Sequence, residues 1–174
     1  MLRPFEPGDL AGLVAYRSDP DVAAYQSWDR GYSNSDAERF LAAQRSLTFG
    51  QPGEWTQLAI ADRADAALLG DCAAHVSGSQ PSTAEIGITL ARTSQGRGVA
   101  AEALRGMIAA LFDDHGMHRV YAEADDRNEA VHRLLERLGL RCEGRLVEAD
   151  WFKGEWTTLR IYALLAREWR ARRT

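Results

Sequence analysis

The chain has 174 residues, of which 45% are hydrophobic and 26% charged, and its formal net charge is -4. That length suits one domain with a sizeable core. The acidic balance argues against a nucleic-acid binder, which carries a basic field, and no run approaches the ~18 apolar residues of a membrane span.

Leu2 to Pro4 is expected as a short edge strand, since proline is tolerated only at an edge. A helical pattern runs from Gly8-Asp9 through Tyr16, with Leu10, Leu13 and Val14 on one face. Asp19-Pro20 breaks it. The capping residues Ser33 to Asp36 precede a second helix, expected from Ala37 to about Leu47.

Strands are predicted at Trp55 to Asp62, at Ala67 to Val76 with a bend at Gly70, and at Glu85 to Leu90. The last, "EIGITL", puts Ile86, Ile88 and Leu90 on one face and Glu85, Gly87 and Thr89 on the other, the alternation of a half-buried strand. "GSQPST" before it is a turn. A long helix follows from about Val99 to His115, with Leu104, Ile108, Leu111 and Phe112 as its apolar stripe and Gly116 as its stop. His118 to Ala124 is a strand. Asn128 caps a helix from Glu129 to Leu138 that ends at Gly139. Two strands, about Arg141 to Trp151 and Trp156 to Leu165, close the chain around a "KGE" hairpin turn. "REWRARR" reads as a solvated, fraying helix. The fold class is therefore α+β, a mixed and mostly antiparallel sheet flanked by helices in one domain.

Cys72 and Cys142 lie far apart inside strand-like runs and are expected as small buried thiols in a reducing, cytoplasmic compartment. His75, His115, His118 and His132 show no ligand spacing, so no metal site is read. No apolar N-terminal stretch resembles a signal peptide.

The chemistry concentrates in "SQGRGVAAEAL", Ser94 to Leu104. A helix start exposes unpaired N–H groups and a partial positive charge, and glycines there admit a phosphate to the backbone. The loop is too short for a nucleotide-triphosphate P-loop and lacks its lysine-serine or lysine-threonine pair. Gly96-x-Gly98-x-x-Ala101 also matches the dinucleotide fingerprint, with Glu123 or Asp125 as the ribose acid. Against that, the preceding strand alternates where a central parallel strand should be apolar on both faces. A purely structural turn from strand to helix is the remaining alternative.

"EIGITLARTSQGRGVAAEAL" resembles the acetyl-coenzyme A motif of the GNAT acetyltransferase superfamily, Q/R-x-x-G-x-G/A, at Gln95-Gly96-Arg97-Gly98-Val99-Ala100. "AEADDRNEAVHRLLERLGL" resembles the segment that follows it, and "WFKGEWTTLRIYALLAREW", "LRPFEPGD" and "SDPDVAAYQSW" resemble the closing and opening of the RimJ/RimL-type branch. The resemblance spans essentially the whole chain, 1–174, as a single acetyltransferase domain. It implies a sheet splayed between the strands at Glu85–Leu90 and Arg119–Ala124, with acetyl-CoA as co-substrate in the gap. The backbone of Ile88, Thr89 and Leu90 would pair with the pantetheine arm. The amides of Gly96, Arg97, Gly98, Val99, Ala100 and Ala101 would take the pyrophosphate, and Asn128 would touch the pantetheine arm.

The implied reaction is acetyl transfer to a primary amine, either a protein N-terminal α-amine or a small-molecule amine, by direct attack in a ternary complex. The amine must lose a proton first. Glu85 is the candidate base; Asp150 and Glu148 are poorer ones. The oxyanion would be held by a backbone N–H of the splayed strand, and the leaving thiolate needs little help. The chain departs from the family pattern at Val131 and Leu135, where relatives carry a serine or a tyrosine that protonates the thiolate. Tyr25, Tyr121 or a water would then serve, or the protein is an acetyl-CoA binding sensor, an inactive relative. Tyr25, Trp28, Tyr32, Trp151, Phe152 and Trp156 are candidates to line an amine slot, with ordinary packing as the alternative. Both a monomer and a homodimer remain open.

Overall fold

The alternating and helical periodicities resolve into one seven-stranded sheet in the computed structural model, which describes residues 1–28, 31–80 and 82–172. Its strands are β1 (Leu2–Arg3), β2 (Thr56–Ala61), β3 (Leu68–Val76), β4 (Thr83–Leu90), β5 (Arg119–Asp125), β6 (Arg141–Phe152) and β7 (Glu155–Leu165). The helices are α1 (Leu10–Arg17), α2 (Pro20–Ala23), α3 (Asn34–Gln44), α4 (Val99–Ala109), α5 (Glu129–Leu138) and α6 (Ala166–Ala171). The strand order is β1-β2-β3-β4-β5-β7-β6. Every neighbouring pair is antiparallel except β4 and β5. This is the expected α+β class. A doubly wound parallel sheet, which the dinucleotide fingerprint requires, is absent from the described residues.

Alternation along the strands sorts the two faces. Cys72, Ala74, Ile86, Val120 and Ala122 point to one side, where the α4 stripe of Leu104, Ile108, Leu111 and Phe112 packs on them with α5. All four stripe residues are 1% exposed or less, so the 3.6-residue period of that helix is spent on the core. The other side carries Asp71, Glu85, Thr89, Tyr121 and Glu123. There α1, α2 and α3 build a second, smaller core from Leu13, Tyr16, Val22, Ala37 and Leu41.

Local chemistry sets the helix starts. Asp19 caps α2, accepting from the Asp21 amide at 2.9 Å, so the break expected at Asp19-Pro20 becomes a short helix of its own. Ser33 and Asp36 form a reciprocal capping box, and α3 begins at Asn34, three residues before the expected start. Asn128 Oδ1 accepts from the Val131 amide at 3.3 Å and Gly139 closes α5, as expected. The helix predicted through His115 leaves α geometry at Ala109 and finishes as a π turn over Ala110–Asp114. The bend at Gly70 falls where the β2–β3 register shifts, and a Cβ there would stand 2.2 Å from the Thr89 carbonyl oxygen, so only glycine fits.

Two expectations are corrected. Cys72 is fully buried, but Cys142 is exposed, because it lies on β6, the outer strand of the sheet. The basic C-terminal helix is docked rather than fraying: Arg172 donates to the Leu138 and Gly139 carbonyls at 3.2 and 2.9 Å, capping the end of α5. Pro81 of the expected turn and Arg173 of the basic run lie outside the described residues.

Candidate active site

Strands β4 and β5 pair only at Thr83↔Arg119, Ala84↔Val120 and Glu85↔Tyr121. Beyond that rung they diverge, because β4 stays paired to β3 as far as Leu90 and β5 to β7 as far as Asp125. The gap is a cleft of about 320 Å³ passing through the sheet. Its walls are Ile86, Gly87 and Ile88 of β4 and Ala122 to Asp125 of β5. Leu104, Asn128, Val131 and Leu135 close it on the α4–α5 side. Tyr25 and Gln26, with Asp150, Phe152, Thr157 and Leu159 of the β6–β7 hairpin, close it on the other.

The β4 edge in this cleft presents backbone groups. Ile88 O accepts from Gln26 Nε2 at 3.5 Å, and Leu90 O accepts from Gln95 Nε2 at 3.2 Å. Both carbonyls thus turn away from β3. The Thr89 carbonyl, in contrast, stands against Gly70 of β3. Of the three residues expected to offer backbone to a ligand, Ile88 and Leu90 turn their carbonyls away from β3 and Thr89 turns its carbonyl toward it.

Past Leu90 the chain makes a short 3-10 turn, Arg92–Ser94, and enters the glycine loop. Gly96 and Gly98 adopt left-handed backbone, φ 70° and 81°. Gly98 is the N-cap of α4 and offers no side-chain cap; its carbonyl accepts the Glu102 amide at 3.1 Å. The amides of Val99, Ala100 and Ala101 therefore have no acceptor within the helix. Nothing lies within 4 Å of a Cβ built on Gly96 or Gly98, so their approach is open. Gln95, Gly96, Arg97 and Gly98 are exposed.

Glu85 sits at the last paired rung, where the sheet begins to open. Tyr121, its cross-strand partner, donates its hydroxyl to Glu85 Oε2 at 3.1 Å. Burial pushes the Glu85 carboxyl above its ordinary range; the Tyr121 bond pulls back and nearby Glu123 adds to the rise. The Tyr121 phenol is pushed up to about 12 by burial and then by Glu85, so it stays protonated and donates to that carboxylate. Glu85 is not itself part of the cleft lining; Glu123 and Asp150 are. Glu123 stands in no motif that assigns it to this opening, although alternation along β5 places it on the same face as Tyr121. Gln26 and Thr157 carry no sequence signal of their own. Asp125, also in the lining, is tied to Arg127 at 2.7 Å.

The aromatic residues divide. Tyr25 and Phe152 line the cleft. Trp28 and Tyr32 instead pack on the buried Arg17 guanidinium, whose carbon lies 4.2 and 5.3 Å from their ring centres, with Phe40 at 4.3 Å. Arg17 pairs with buried Asp71 at 3.3 Å and Gln57 at 2.7 Å, and Tyr16 donates to the same carboxylate. Trp151 and Trp156 lie edge to face at 5.3 Å, exposed on the outer hairpin, and neither lines the cleft. Val131 and Leu135, the two positions where the family pattern carries a hydroxyl, both line the cleft. Among the described residues no group of three or more His, Cys, Asp or Glu could hold a metal ion, and no helix is long and apolar enough to cross a membrane.

A sheet opened between one parallel pair, with a glycine-led helix start beside the opening, defines an acyl-CoA dependent acyltransferase fold. The acetyltransferase (GNAT) domain model matches residues 1–141, and the chain belongs to that family of N-acetyltransferases, which use acetyl-CoA. The chain is 27% identical to the uncharacterized N-acetyltransferase p20 of Bacillus licheniformis over 97% of its own length and 93% of the relative's. Its fold is shared with the spermidine N-acetyltransferase of Vibrio cholerae, solved in complex with CoA and spermine (TM-score 0.83, 20% identity, 98% and 97% of the two chains). It is also shared with the ribosomal-protein-S5-alanine acetyltransferase of Vibrio fischeri (TM-score 0.83, 17% identity, 97% and 93%).

Proposed function

We propose that this protein transfers the acetyl group of acetyl-CoA to a primary amine within the β4–β5 cleft, by direct attack in a ternary complex. The observation that carries the reading is the continuity of three features. The outward-turned carbonyls of Ile88 and Leu90 and the unpaired α4 amides follow one another along the chain, and the β4 edge that bears those carbonyls also forms one wall of the cleft. The amides of Gly96 to Ala101 suit a pyrophosphate, with Arg97 beside them. The β4 edge suits the amide groups of a pantetheine arm, which would displace the Gln26 and Gln95 side chains. Asn128 has room for a polar contact, since it lines the cleft while capping α5.

The amine enters from the α1–α3 side. Glu85, its carboxyl held above the usual range, is matched to accept the ammonium proton. The neutral amine attacks the thioester carbonyl, a backbone N–H of β4 steadies the oxyanion, and the tetrahedral intermediate expels the CoA thiolate. With Val131 and Leu135 in the cleft, that thiolate, whose thiol pKa is roughly 8.5, leaves without a side-chain acid. The cleft carboxylates Glu123 and Asp150 favour a cationic acceptor, either a polyamine-like amine or the α-amine of a basic protein terminus in the manner of the RimJ/RimL branch. The hairpin lies beyond the family match yet lines the cleft, which supports treating residues 1–174 as one catalytic domain.

The second reading is an acetyl-CoA sensor, favoured by the same Val131 and Leu135. An acceptor screen with a free-thiol readout, containing spermidine and an alanine-initiated basic peptide, run beside acetyl-CoA calorimetry, separates the two. Thiol release with an amine supports transfer. Binding without release on any amine supports the sensor, and no binding removes both.

A further inference from the structure

The turn joining β6 and β7 is Lys153-Gly154, with φ of 50° and 89°. Two-residue hairpin turns of this left-handed kind favour Asn-Gly or Asp-Gly, and a long side chain adopts such backbone only at a cost. Lys153 is also the single lysine among 21 lysines and arginines. A disfavoured residue held at a strained position points to something its side chain does.

The Lys153 ammonium donates to the Ala23 carbonyl at 2.6 Å and to the Trp28 carbonyl at 2.8 Å. Ala23 ends the four-residue α2, and its carbonyl accepts the Gln26 amide at 3.1 Å as well as the ammonium. Trp28 is in turn anchored by its indole, which donates to the Arg17 carbonyl at 3.0 Å. The stretch between those two carbonyls carries Tyr25 and Gln26 into the cleft, and the hairpin carries Asp150 and Phe152 to the same side of it. One compact cation, able to donate in three directions, thus joins the two segments that close that side of the cleft. A planar guanidinium fork does not match two carbonyls from separate parts of one loop.

We propose that Lys153 is a positioning residue that latches the hairpin to the loop after α2 and so sets the geometry of the amine-binding end of the cleft. The proposal rests on reading that end as the acceptor site. Lys153 touches neither reacting group; it acts through the loop, so it bears on acceptor binding and not on the thioester.

Selective ¹⁵N-lysine labelling of the full chain tests the latch without any activity measurement. A hydrogen-bonded ammonium exchanges slowly, and the single lysine is expected to give one side-chain ammonium cross-peak at neutral pH. A wild-type spectrum lacking that cross-peak, under conditions where free lysine also shows none, overturns the latch. The kinetic arm compares Lys153→Met and Lys153→Arg with wild type, using spermidine or the alanine-initiated peptide, whichever is turned over. The expected result is an acceptor KM raised about tenfold in Lys153→Met, only partly restored in Lys153→Arg, with kcat and the acetyl-CoA Kd within about twofold of wild type. An unchanged KM, or an acetyl-CoA Kd weakened in parallel, overturns the positioning role. If neither amine is turned over, the acceptor reading fails, and the ammonium spectrum still decides the latch.

Discussion

Gly98→Ala separates backbone strain from ligand binding. Gly98 has φ 81° and open space where a Cβ would go, so alanine there clashes with nothing in the protein. The cost to the fold is the left-handed backbone alone, about 1–2 kcal/mol, or roughly 2–8 °C in Tm for a chain of this size. Gly116 shares both properties, φ 64° and open space, but stands at the far end of the α4 segment. Gly116→Ala is therefore a matched control with the same expected loss of Tm. The two variants part on acetyl-CoA. If the amides after Gly98 hold the pyrophosphate, the new methyl obstructs that approach and costs one charge-assisted hydrogen bond or its equivalent, about 1.5–3 kcal/mol. Calorimetry should then give a Kd weakened about 10- to 150-fold in Gly98→Ala and unchanged in Gly116→Ala. Equal acetyl-CoA affinities in the two variants would refute the pyrophosphate assignment, whatever their stabilities.

Glu85→Gln should lower kcat by about 10²–10⁴-fold and leave the acetyl-CoA Kd within about twofold. In the wild type, kcat/KM should rise with pH through a carboxyl pKa above the model-peptide value of ~4.3, and that limb should vanish in the variant. Because the folded pKa is raised, this group's stabilisation is full below the unfolded value and is lost as pH rises through the folded one. Glu85→Gln should thus raise Tm at neutral pH, and a lowered Tm in a thermal scan would contradict the burial argument. Arg17→Ala leaves Asp71, 3% exposed, without its cation in the core. Urea unfolding should show about 3–5 kcal/mol lost; a loss under about 1 kcal/mol would mean that Tyr16 alone satisfies Asp71.

The periodic elements were legible because their causes are local. The apolar stripe of α4, the alternation of Glu85 to Leu90 and the Asn128 and Gly139 caps each depend on residues a few positions apart. The glycine loop was legible for the same reason, since a helix start and its unpaired amides are sequence-contiguous. What required the tertiary structure is everything that depends on two distant segments meeting. Trp28 and Tyr32 are aromatic in either role, and only the buried Arg17–Asp71 pair, bringing α1 against β3, assigns them to packing. Cys142 reads like Cys72 along the chain, and only its place on the outer strand exposes it. The cleft exists because β4 and β5 keep faith with β3 and β7 and so part from each other past Glu85↔Tyr121. That divergence is a property of the whole sheet. It brings Glu123, Asp150 and Tyr25 around one opening, and neither composition nor spacing encodes where strands stop pairing.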